Sequence, residues 1–268
     1  MTGLKIQALI GRIASFAVVP LYILFLRVMG YRIRDLRRIR RQWEELTREH
    51  GGPWLICSNH LTMIDSLLIT YSLLSLTGHF RHYERIPWNL PEQANFYHSL
   101  SLRVICYLSK CLPVHRGGDR DDIKNTLAAC RELLAAKQHL MIFPEGGRSR
   151  TGRIDGENFS YGPGRFMTEH PDCRVLCVYL RGDRQKNYSA LPLWGERFTL
   201  EIQALMPERT ALSGLKAQRH YAGLIIEKLL QMEESYFALH RERYCRSGSA
   251  GQPGEDPGPT LSGPGLHI

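Results

Sequence analysis

The sequence predicts an α/β fold: a single layered domain with a mostly parallel or mixed central sheet flanked by helices, preceded by an N-terminal helical segment. From Trp54 onward, apolar runs of strand length alternate with longer stretches of helical period. Val175–Leu180 reads Val-Leu-Cys-Val-Tyr-Leu, apolar throughout, as a strand buried on both faces requires. Apolar residues make up 43% of the 268, enough for one large core.

Residues 4–29 are apolar and end-loaded with charge, with a clean run from Ile13 to Leu26. As a helix, those 14 residues span roughly 21 Å, short of a hydrocarbon core of about 30 Å. An interfacial or re-entrant membrane helix is expected, with a single span or a core helix of a soluble domain as alternatives. No small-x-small cleavage site follows, and the Arg-rich run from Arg27 argues against export. In residues 27–50, Leu36, Ile39, Trp43 and Leu46 recur at spacings of 3, 4 and 3 beside an arginine cluster. This is an amphipathic helix with a cationic face, for which a membrane surface is the expected partner. Residues 1–50 are therefore read as membrane-associating helices, 51–240 as the main domain and 241–268, rich in Gly and Pro, as a disordered tail.

In the main domain, strands are expected over Trp54–Cys57, Phe80–Ile86, Cys111–His115, His139–Phe143, Val175–Leu180 and Phe198–Leu205. Helices are expected after Asp65, over Phe96–Ser109 and Asp121–Lys137, after Pro163 and over Leu212–Leu239.

The net charge is +9, and residues 1–50 hold 10 Lys and Arg against 4 acids. Anionic lipid, a phosphorylated ligand or nucleic acid suits such a surface. No platform of aromatics interleaved with basic residues is visible, so nucleic acid is not expected. The seven cysteines include no Cys-x2-Cys pair and no complementary His cluster. They read as buried free thiols, and no metal site is expected. There is neither a P-loop nor a dinucleotide fingerprint.

Two stretches carry chemistry. Ser58-Asn59-His60 ends the first strand, and Asp65 follows five residues later. On one continuous helix that spacing does not share a face, so the two meet only if His60 lies in the turn before the helix. A carboxylate on one imidazole nitrogen sets the tautomer and makes the other nitrogen a general base. Thr62-x-x-Asp65 also fits a capping box, which leaves a structural reading open. The second stretch, Phe143-Pro144-Glu145-Gly146-Gly147-Arg148-Ser149-Arg150, follows a later strand. Its glycines permit close approach of a ligand, and its Arg and Ser supply donors for a phosphate.

In this order and at this separation, the two stretches resemble the PlsC-type glycerolipid acyltransferases, whose signature is Asn-His-x4-Asp followed by Phe-Pro-Glu-Gly-Thr-Arg-Ser. Asn59, His60 and Asp65 match the first block; Phe143, Pro144, Glu145, Gly146, Arg148 and Ser149 match the other. Leu112–Arg116 resembles the family's strand ending in Arg, and Val175–Val178 its last block. Gly147 stands where the family has Thr, which puts the acceptor's head group in question, and Cys177 where it has Pro. The resemblance covers roughly residues 50–205. It implies a membrane-associated O-acyltransferase that moves an acyl chain from acyl-CoA or acyl carrier protein to a lysolipid hydroxyl. The default acceptor is 1-acylglycerol-3-phosphate, with a lyso-aminolipid or a specialised aryl or polyketide lipid as alternatives and a thioesterase as the remoter one. It implies His60 as base and Asp65 as its orienter. Arg116, Glu145, Gly146, Gly147, Arg148 and Ser149 are implied around the substrate, with Glu145 bracing the loop. No cofactor beyond the donor is implied. The location implied is the cytoplasmic side of the inner membrane.

Overall fold

Six strands form one mixed sheet in the order β1-β6-β5-β2-β4-β3. The strands are β1 (Arg32–Ile33), β2 (Trp54–Ser58), β3 (Trp88–Asn89), β4 (Leu140–Ile142), β5 (Arg174–Gly182) and β6 (Arg197–Leu205). In this computed structural model, residues 2–96, 99–115 and 120–249 are described. β2, β3, β4 and β5 run parallel, while β6 is antiparallel to β5 and parallel to β1. The register sets Cys57 beside both Ile142 and Cys177. Every residue of β2 is buried, which explains its unbroken apolar run. β6, at the half-covered side of the sheet, alternates buried and partly exposed residues from Phe198 to Ile202.

The helices are α1 (Thr2–Val28), α2 (Leu36–Glu49), α3 (Asp65–Leu73), α4 (Leu76–Arg81), α5 (Gln93–Phe96), α6 (Leu100–Leu108), α7 (Arg120–Ala135), α8 (Gly162–Glu169) and α9 (Gly214–Ser249). Residues 1–233 make up one compact unit, and residues from 234 belong to a second. In the first, Ala222, Ile225, Ile226 and Leu229 of α9 are buried. α9 continues to Ser249, past the expected start of the tail at 241; residues 250–268 lie outside the described residues.

α1 spans its 27 residues over about 40 Å, and is long and apolar enough by length and composition to cross a membrane. One side of it packs on the domain. Val19, Ile23 and Leu26 are buried, the Gln7 amide donates to the carbonyls of Tyr107 and Cys111 (both 3.1 Å), and Phe16 stacks on Phe80. The other side exposes Leu9, Ile13, Leu21 and Leu24.

The apolar stripe of α2 packs inward: Ile39 and Trp43 join the core, where the Trp43 ring meets Trp54 edge-on at 5.5 Å. Its charged side, including Arg37, Arg38 and Arg41 and also Glu44 and Glu45, faces outward. Two expected strands are corrected. Phe80–Ile86 is not a strand. Ser75 caps α4 by accepting from Gly78 N (3.0 Å), a 3-10 turn covers Tyr83–Arg85, and the extended segment comes after Pro87 as β3. Cys111–His115 makes only isolated bridges, Asn89 with Cys111 and Glu92 with Val114. Pro113 lies between them and has no N–H to continue a ladder.

Candidate active site

The parallel strands β2, β3 and β4 release their chains at the same end of the sheet, the usual place for a ligand site in such an arrangement. His60 follows β2, Glu145 follows β4, and Asn89 closes β3. Asn59 locks the exit of β2: its amide donates to the Leu180 carbonyl (2.9 Å) and its oxygen accepts from Leu180 N (2.8 Å).

His60 lies between β2 and α3, outside the helix, as the five-residue spacing demanded. Its Nδ1 is 3.0 Å from Asp65 Oδ2. The same oxygen accepts from the backbone N–H of Leu61 (2.7 Å) and Thr62 (2.8 Å), and the Thr62 hydroxyl donates to Oδ1. Asp65 is only 3% exposed; four donors hold it where burial of an unpaired carboxylate would be costly. Because the carboxylate accepts, Nδ1 carries the proton and Nε2 keeps its lone pair. The N-cap of α3 is Ile64, which makes no side-chain bond; Asp65 at the first helical position, not Thr62, satisfies the backbone of the turn. The imidazole lies flat on the Phe143 ring, with centroids 4.0 Å apart at 18°, which fixes its plane.

The loop after β4 is tied to this turn. Glu145 Oε1 accepts from His60 N (3.1 Å), and Ser149 N donates to the His60 carbonyl (2.9 Å). Burial pushes the Glu145 carboxyl up to about 7, against the opposing pull of the N–H groups of His60 and Asp155. Gly146 takes φ +71°, which a side chain rarely adopts. The Ser149 hydroxyl is engaged by the Arg153 carbonyl within its own loop. Arg148 reaches the Ser189 carbonyl (3.5 Å), with its guanidinium 5.7 Å from the Tyr188 ring centroid.

These groups enclose a cavity of about 90 Å³ lined by His60, Ser66, Asn89, Glu92, Gly147 and Arg148 among others. His60 and Arg148, about 90 residues apart in sequence, thus share one opening. Arg116 lies outside the described residues. Sequence reasoning assigned no role to Asn89 or Glu92. The Asn89 side-chain oxygen is buried with no partner among the described residues, and no local pattern distinguishes that residue. A larger cavity, about 540 Å³, opens at the opposite ends of the strands near Arg174 and Leu205, and holds none of the expected site residues. Among the described residues no group of three or more His, Cys, Asp or Glu could hold a metal.

A family model described as Acyltransferase matches residues 32–181, more than half of the chain. The chain belongs to the acyltransferase family. This is the family of the PlsC-type glycerolipid acyltransferases, and the protein is accordingly a transferase of acyl groups. Comparison with curated proteins returns no match. The acyltransferase match begins at Arg32, the first residue of β1, and takes in α2 and the strands from β1 to β5, ending before β6.

Proposed function

We propose that this acyltransferase moves an acyl chain from a thioester, acyl-CoA or acyl carrier protein, to a hydroxyl of a lysolipid at the cytoplasmic surface of the inner membrane, with 1-acylglycerol-3-phosphate as the principal acceptor. The hydrogen-bonded His60–Asp65 pair opening on the same cavity as Arg148 carries this reading. His60 Nε2 accepts the proton of the acceptor hydroxyl as its oxygen attacks the thioester carbonyl. The C–S bond then breaks, and the thiolate leaves with the proton carried by the imidazolium. Asp65 holds the ring and stabilises its charge. Arg148 binds the acceptor's phosphate, joined by Arg116, while Gly146 and Gly147 allow close approach. A thioester is already activated, so no covalent enzyme intermediate and no cofactor beyond the donor is needed. Glu92 on the same cavity, with Gly147 where the family has Thr, favours a second reading: an acceptor carrying an ammonium group beside its anion.

Incubating the protein with both donor types and a panel of lysolipids, while following free thiol and product mass, tests donor and acceptor together. His60→Ala should lower turnover by about 10²–10⁴-fold. Near-normal turnover in that variant would rule out His60 as the base, and thiol release independent of acceptor would point to hydrolysis.

A further inference from the structure

The segment between β5 and β6 presents Tyr188, Leu191, Leu193 and Trp194 to solvent, with Trp194 64% exposed. These side chains stand on a braced backbone. Ser189 N donates to the Leu61 carbonyl (3.0 Å) and Met63 N to the Ala190 carbonyl (3.1 Å), joining the segment to the His60–Asp65 turn. At its other end, Gly195 N donates to the Met29 carbonyl (2.8 Å), and the Tyr31 hydroxyl donates to the Pro192 carbonyl (2.9 Å). Gly30 takes φ +68°, and a Cβ there would press on the Gly195 Cα at 3.1 Å. The segment therefore abuts the end of α1, where Leu21, Leu24, Phe25 and Val28 are exposed.

The charge around this apolar surface is one-sided. Arg27, Arg32, Arg184, Lys186 and Arg197 are exposed. The two acids of the segment are engaged: Asp183 pairs with Arg34 (2.8 Å), and buried Glu196 faces Arg184 (3.4 Å). Leucines beside a Trp and a Tyr, rimmed by cations, are the side chains that seat a protein at the boundary of acyl chains and anionic headgroups.

We propose that residues 188–194 insert into an anionic lipid surface beside the C-terminal half of α1, forming a second membrane-seating element; this rests on the reading that the protein works at a membrane. The segment also carries the carbonyl and the ring against which Arg148 is set. Its insertion holds the cation of the His60 cavity at headgroup level.

Trp43, Trp54 and Trp88 are buried, so Trp194 is the tryptophan whose emission a surface contact changes. The full chain is mixed with vesicles of phosphatidylglycerol and phosphatidylcholine, and separately of phosphatidylcholine alone. A blue shift with the anionic vesicles and quenching by shallowly brominated lipid are expected. Trp194→Phe should abolish both signals while still floating with the vesicles. Leu193→Asp with Trp194→Asp, surface changes whose folding is checked by circular dichroism, should weaken vesicle binding about tenfold. Flotation with unchanged Trp194 emission overturns the insertion of this segment and leaves membrane association through α1 standing. Absence of flotation overturns both. Binding of the exposed segment to another protein, with no response to lipid, also overturns the proposal.

Discussion

Around His60, each contact removes a freedom of the imidazole ring. Asp65 sets the tautomer, Phe143 sets the plane of the ring, and Glu145 accepts from the backbone N–H of His60. Burying the carboxylate that makes the last contact has a measurable cost. Burial raises the Glu145 pKa from 4.5 to about 7, so between those values the folded state holds a proton that the unfolded chain releases. The stabilisation is complete below the unfolded value and is lost as pH rises through about 7. Melting temperature should therefore fall across that window, by about 2–4 °C for each kcal/mol lost. Glu145→Gln keeps an acceptor for His60 N and should flatten this part of the pH profile, as thermal melts at intervals between pH 4.5 and 8 would show. A variant with the wild-type slope would mean that Glu145 is not the group responsible.

The elements that bear on the site are held by contacts with little tolerance. α8 follows the loop of Glu145 and crosses α9 at Gly164. A Cβ at that position would overlap the Gln218 carbonyl oxygen and lie 2.8 Å from Ala222 N. Both are helix backbone and cannot turn aside. Gly164→Ala should force the two helices apart and cost about 1–3 kcal/mol, read as a drop in the denaturant midpoint with little change in slope. α2 shows what periodicity alone leaves open. Leu36, Ile39, Trp43 and Leu46 would look the same whether they faced lipid or a sheet, since both are apolar. The T-shaped contact of Trp43 with Trp54 decides for the sheet.

For the molecule as a whole, α1 has two sides that its composition does not separate. Its outer side exposes a long apolar surface, while Val19, Ile23 and Leu26 belong to the buried interior, Leu26 to the main core itself. An anchor appended to a finished domain could be removed without loss of stability. Here, deletion of residues 2–28 should cost several kcal/mol, at about 1.5–3 kcal/mol for each large aliphatic side chain withdrawn from the core. Thermal melts of the shortened chain in detergent test this, because detergent shields the newly exposed surface from aggregation. An unchanged melting temperature would mean that α1 adds nothing to the stability of the fold.

The α/β class, the His60–Asp65 pair and the loop at Glu145–Ser149 were legible in the sequence because each is local. A buried parallel strand needs an unbroken apolar run. A dyad across one turn needs only five residues, and a loop that approaches a ligand needs glycine. What lies opposite the pair was not legible. Asn89 and Glu92 reach the cavity because β3 pairs with β4, and neither has a neighbour in sequence that marks it. The ring stacked on His60 comes from residue 143 because β4 pairs with β2. Burial depends on what a side chain faces after the chain has folded back. So the sequence by itself determined which groups could do chemistry, and tertiary packing alone decided which surfaces enclose them and which, like α1 and the Tyr188–Trp194 segment, are left facing outward.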